Sequence, residues 1–142
     1  MSDIKHFLRI RKTPDVVFKA ITEESGLKGW WTEETKANSR EKILEFSFTG
    51  TYPNTMKIIK SESNKIIEWE CIKGFENSWI GNHIFFELTP EGDNTTILKF
   101  KHSGLKEDEE RLANINYNWG RFLFSLKTYC ETGKGFPVKR KK

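Results

Sequence analysis

The chain has 142 residues, 36% hydrophobic and 31% charged, a size and balance that suit one globular domain around one core. Its formal charge of +4 comes from the end: residues 134–142, KGFPVKRKK, hold five basic residues and no acid, and without them acids and bases nearly balance. That balance argues against a nucleic-acid reader, which needs a basic face on its folded part. No apolar run approaches the ~18 residues that span a bilayer, and no secretory apolar region opens the chain. Two cysteines, Cys71 and Cys130, are too few for a disulfide framework. A cytoplasmic protein with buried free thiols is expected.

Residues 4–10, IKHFLRI, alternate, which predicts a strand with Ile4, His6, Leu8 and Ile10 on one face and Phe7 and Arg9 on the other. Thr13-Pro14-Asp15 then supplies a cap, a first-turn proline and a first-turn acid, so a helix should run through PDVVFKAITEE, burying Val17, Ala20 and Ile21. Ser25 and Gly26 break it. GLKGWWT (26–32) follows as a short second helix or turn. Its two adjacent indoles cannot share one face of a helix or a strand. Trp30 is expected inward with Leu27, which lies three residues away on the same helical face, and Trp31 at the rim of a groove.

Strand patterns dominate from 41 to 103. ILEFSF (43–48) places Leu44, Phe46 and Phe48 on one face, and NTMKIIKSES (54–63) follows a Tyr52-Pro53-Asn54 turn. KIIEWECIK (65–73) opposes Ile67, Trp69 and Cys71 to Glu68 and Glu70. WIGNHIFFELT (79–89) aligns Ile80, Asn82, Ile84, Phe86 and Leu88. TTILKFKHS (95–103) aligns Thr96, Leu98, Phe100 and His102. Five consecutive strands joined by short turns imply an antiparallel meander. The other face carries Phe7, Ile59, Trp79, Phe85 and Ile97, a candidate partner or dimer surface.

The last element changes period. Four acids at 107–110 suit a helix N-terminus. Leu112, Ile115, Trp119, Phe122, Leu123, Leu126 and Cys130 then recur as a helical stripe that Gly133 and Gly135 end. About 25 residues make a helix roughly 37 Å long. A twisted sheet wrapped on a straight helix leaves space beside their contact, which favours a pocket. The inward aromatics Trp69, Trp119, Phe46, Phe48, Phe86, Phe100 and Phe122, with Leu126, are its candidate walls. They serve equally as plain core.

The three histidines lack metal-ligand spacing, and no nucleophile elbow or phosphate-cradling loop is present. No cofactor and no metal are expected. Glu68 and Glu70 read as a solvated face rather than an acid/base pair. His102 and Asn82 fall on apolar faces, where a buried polar group needs a partner. Each is either a hydrogen-bonded core residue or a polar anchor for a ligand, and His6 is a weaker case.

The order β-α-α-β-β-β-β-β-α, with its particular residues, resembles the START-like (SRPBCC, helix-grip) superfamily. Within it the chain is similar to the family named for the C-terminal domain of the activator of the heat-shock-protein-ninety ATPase. The resemblance rests on TPDVVFKAIT, LKGWWT, FFELTPEGDNTTILKFKHSGL and NWGRFLFSLKTYCETGKG, and Phe18 stands where the family has tryptophan. It implies an α+β fold with a curved six-stranded antiparallel sheet wrapped around a long C-terminal helix. The domain would cover 1–136, with 137–142 a basic, disordered tail. The resemblance implies a carrier of hydrophobic ligands, a cyclase-like enzyme or a chaperone-activating module. Non-enzymatic binding of a small hydrophobic or aromatic ligand is the expected function, through Trp31, Phe46, Phe48, Trp69, Asn82, Phe86, Phe100, His102, Trp119, Phe122 and Leu126. The alternative is a protein-interaction module that meets a chaperone or a second copy through Phe7, Trp79 and Phe85.

Overall fold

A computed structural model describes residues 2–48, 53–74 and 79–139. Strand β1 (Ser2–Ile10) leads into helix α1 (Pro14–Thr22) and helix α2 (Glu24–Trp30). Strands β2 (Glu34–Asn38), β3 (Ile43–Ser47), β4 (Asn54–Glu62), β5 (Ile66–Lys73), β6 (His83–Glu91) and β7 (Thr95–Leu105) follow, and helix α3 (Glu109–Thr132) closes the order. The strands form one antiparallel sheet in the order β1-β7-β6-β5-β4-β3-β2, with α3 packed on β1, α1 and α2. This is the α+β helix-grip arrangement.

The sheet has seven strands where six are expected. The added strand, β2, has the sequence ETKAN and holds one apolar residue, Ala37, so it carries no alternation to read. It forms because β3 offers a ladder to it. Two side chains complete its pairing: Glu24 of α2 accepts from Ala37 N–H at 2.8 Å, and Thr32 donates its hydroxyl to Ser47 carbonyl at 2.7 Å. An exposed edge donor is thereby closed by a carboxylate.

Register builds the core in rows across the inner face. His6 pairs with Phe100, Phe100 with Phe86, and Phe86 with Ile67. The next row runs Ile4, His102, Ile84, Trp69 and Ile58. Irregularities in β4 between Ile58 and Lys60 add local twist and leave Ile59 exposed. Asp108 caps α3 by accepting from Arg111 N–H at 2.9 Å, and Gly133 ends it with φ +89.

The alternation fails at the start of β6. Gly81, at φ +88, sits in a turn closed by Asn82 N–H to Trp79 carbonyl at 2.8 Å. Trp79 therefore lies inside, 4.6 Å from His102 between ring centroids. Ile80, expected inside, is exposed.

The end of the chain also departs from expectation. Ser125 of α3 donates to Trp30 carbonyl at 2.8 Å and accepts from Phe136 N–H at 2.7 Å. Val138 donates to Trp31 carbonyl and accepts from Glu33 N–H, each at 2.9 Å, as a parallel bridge beside Thr32. Residues 134–139 thus form a strap across the C-terminal end of α2, pinned as far as Lys139, which contacts Glu33 at 3.4 Å. The expected free tail at 137–142 is held through its first three residues, and the last three lie outside the described residues. Among the described residues no helix is long and apolar enough to cross a membrane.

Candidate functional site

A groove of about 1020 Å³ runs beside α3. Ile115, Trp119 and Phe122 of α3 form one wall, and His6, Trp31, Phe48 and Trp79 line it from the sheet side and the end of α2. Phe136, Pro137 and Val138 of the strap border it. Gly120 opens it further. A Cβ there would meet one atom within 4 Å, His6 Cε1 at 3.6 Å, so this mid-helix glycine leaves room at the cost a glycine imposes on a helix.

Behind the groove the aromatics are stacked on one another. Trp31 lies 4.1 Å from Phe46, 5.5 Å from Trp69 and 6.0 Å from Trp119, the last two near-parallel at 23°. Trp69, Phe86 and Phe100 continue the stack edge-on, with 5.2 Å between successive centroids. Of the expected ligand-binding residues, the structure brings Trp31, Phe48, Trp119 and Phe122 to the groove. Phe46, Trp69, Phe86, Phe100 and Leu126 pack behind it as buried core.

Trp31 corrects the expectation of a rim residue. It is 0% exposed and forms the groove's floor, stacked 20° from Trp30 at 5.9 Å. The two indoles divide at the helix end: Trp30 is the last residue of α2, and its Nε1 donates to Ala20 carbonyl at 2.8 Å. Trp31 Nε1 and His6 Nε2 are buried with no hydrogen-bond partner among the described residues.

His102 and Asn82 are hydrogen-bonded within the protein. Trp119 Nε1–H donates to His102 Nδ1 at 3.1 Å, which places the ring proton on Nε2. That nitrogen donates to Asn82 Oδ1 at 2.9 Å, and Asn82 Nδ2 donates to Gly104 carbonyl at 3.0 Å. Burial holds His102 down to about 4, against an upward pull from Asp3, so it stays neutral at physiological pH. The two residues tie the start of β6 to β7 and α3. Cys71 and Cys130 are free and buried, and burial pushes the Cys130 thiol up to about 12.

On the outer face, Phe7 and Phe85 line a separate concavity of about 390 Å³. Trp79, expected beside them, lies in the groove instead. Ile59 stands exposed on β4. Sequence reasoning missed the groove's Gly120 and its strap. The signal available for the strap was the apolar Phe136-Pro137-Val138 run inside the basic tail.

A helix-grip domain with an aromatic groove defines the class, a ligand-binding or interaction module. The sequence profile described as "Activator of Hsp90 ATPase homolog 1-like protein" matches residues 11–131, and the chain belongs to that family. The solution structure of the Aha1 dimer from Colwellia psychrerythraea is similar to it at 33% identity, covering 95% of this chain and 100% of the other, with TM-score 0.81. A protein from Staphylococcus saprophyticus shares the fold at 17% identity and TM-score 0.77, covering 99% and 98% of the two chains. CalU16 from Micromonospora echinospora shares it at 21% identity and TM-score 0.72, covering 94% of this chain and 76% of the other. Among curated proteins no sequence matches.

Proposed function

We propose that the protein binds a small hydrophobic or aromatic ligand in the groove beside α3, without chemical turnover. The observation that carries this reading is Trp31, a residue that lines the aromatic groove and whose buried Nε1 donor has no acceptor among the described residues. Leaving such a group unpaired costs about 1–3 kcal/mol. A flat ligand with one acceptor, lying against the wall that Trp119 and Phe122 form, recovers that cost and gains aromatic contact. The cyclase-like alternative is weakened because His102 and Asn82 hydrogen-bond each other, the Trp119 indole and the Gly104 carbonyl.

The test is Gly120→Leu, titrated with an anilinonaphthalene sulfonate dye. Leucine fits the helix better than glycine and projects where the groove is open, so the variant should fold at least as stably and bind the dye about tenfold more weakly, a loss of ~1.4 kcal/mol. Unchanged dye affinity in the folded variant refutes groove binding.

The interaction-module reading is favoured by a separate observation. Tyr117, Phe124 and Phe136 are 66%, 60% and 64% exposed, Phe124 and Phe136 stack at 6.4 Å, and the Colwellia relative is a dimer. A strictly monomeric wild-type chain in concentration-dependent sedimentation removes self-association from this reading.

A further inference from the structure

The outer face of β1, β7 and β6 carries an arrangement that the groove does not explain. Lys5 on β1 stands directly opposite Lys101 on β7, and Lys101 opposite Phe85 on β6. One row along, Lys99 stands between Phe7 and Glu87. Like charges placed opposite each other on a sheet face are destabilising. Lys5, Lys99 and Lys101 form no ion pair among the described residues, whereas Arg9 pairs with Glu91 at 2.8 Å while its guanidinium lies over Phe7 at 5.3 Å. Phe7 is 54% exposed, and with Phe85 and the three lysines it encloses the concavity of about 390 Å³. A polar residue in place of Phe7 would leave less apolar surface in water in the free protein.

We propose that this face docks an acidic peptide segment of a partner protein. One apolar side chain seats between Phe7 and Phe85, and flanking carboxylates pair with Lys5, Lys99 and Lys101. The charge pattern selects a short segment over a long polyanion. Glu87 stands within the concavity, Glu68 ends the row of Lys5, Lys101 and Phe85 with its carboxylate on His83 at 2.7 Å, and the chain outside residues 134–142 is close to neutral. An extended nucleic acid or an anionic bilayer would press against those acids, whereas a peptide of alternating acidic and apolar residues matches the alternation of lysine and phenylalanine.

The experiment uses the full chain and a fluorescein-labelled peptide of alternating glutamate and leucine, followed by anisotropy and by amide chemical shifts. The expected result is saturable binding that weakens with salt, with shifts on β1, β7 and β6. Lys5→Glu with Lys101→Glu should weaken it about tenfold or more and leave dye binding in the groove unchanged. Lys101→Thr alone should raise the melting temperature, since it removes the opposed charges. The proposal is overturned if the charge-reversed chain binds the peptide as wild type does, or if the shifts fall on residues 134–142. Equal binding of the glutamine version of the peptide, or tighter binding of a single-stranded oligonucleotide or phosphatidylserine vesicles, also overturns it.

Discussion

At the scale of single residues, His102 shows how a polar group can sit in an apolar core. Its ring accepts from Trp119 and donates to Asn82, an arrangement open only to the neutral imidazole. Protonation would force Nδ1 to donate toward an indole N–H that also donates. The folded ring therefore takes up its second proton only at about pH 4 and below, while in the unfolded chain it does so from about 6.5 down. Between those values the unfolded state binds the proton and the folded state does not, so stability is full above about pH 6.5 and falls toward pH 4. Between pH 7.5 and 5, above the range where most carboxylates titrate, His102 should account for a loss of about 2 kcal/mol. Urea unfolding at the two pH values checks this. His102→Gln should be less stable than wild type at pH 7.5 yet lose much less on going to pH 5. An equal loss in both proteins would assign the pH dependence to other groups.

At the scale of elements, legibility followed periodicity. β1, β5, β7 and α3 were readable because each buries one face of a regular pattern, and the inward residues Trp69, Phe100 and Trp119 are buried as their spacing requires. β2 was not readable, because an edge strand held by its neighbour's ladder and by Glu24 needs no apolar pattern of its own. Trp79 was misplaced because one left-handed glycine, Gly81, reverses the faces of everything before it. The strap was misread because its lysines outweigh Phe136-Pro137-Val138 in composition, while its pairing with Trp31 and Glu33 is made by backbone. Of the site, the aromatic walls could be read. Which of them touch open space depends on Gly120 and the strap, and neither has a pattern. The strap yields its own prediction. Ending the chain at Gly133 removes the hydrogen bonds of Val138 to Trp31 and Glu33 and of Phe136 to Ser125, three in all, besides exposed ones made by Lys134 and Lys139. At ~1 kcal/mol each, the loss should be about 3 kcal/mol, seen as a lower denaturant midpoint at constant slope. An unchanged midpoint would mean that the bridge at Val138 adds nothing.

At the scale of the whole molecule, Trp31 is the point where the layers meet. It follows α2, stacks on Phe46 of β3 and Trp69 of β5, lies against Trp119 of α3, and hands its carbonyl to the strap. Removing its ring would connect the core to the groove. Trp31→Ala should therefore cost about 3–5 kcal/mol, a large share of the 5–15 kcal/mol typical of a whole domain, and should broaden or abolish cooperative unfolding. Trp31→Phe separates packing from hydrogen bonding. It keeps an aromatic ring in the stack and deletes a donor that has no partner among the described residues, so the desolvation cost of that donor disappears with it. The phenylalanine variant should then lose much less stability than the alanine variant. If the indole N–H is kept for a ligand, the same variant should lose affinity for acceptor-bearing aromatics while still binding pure hydrocarbons. Denaturant titration paired with binding of naphthol and naphthalene reads both quantities. Equal weakening for the two probes would make Trp31 a wall residue only, its N–H without a role in recognition.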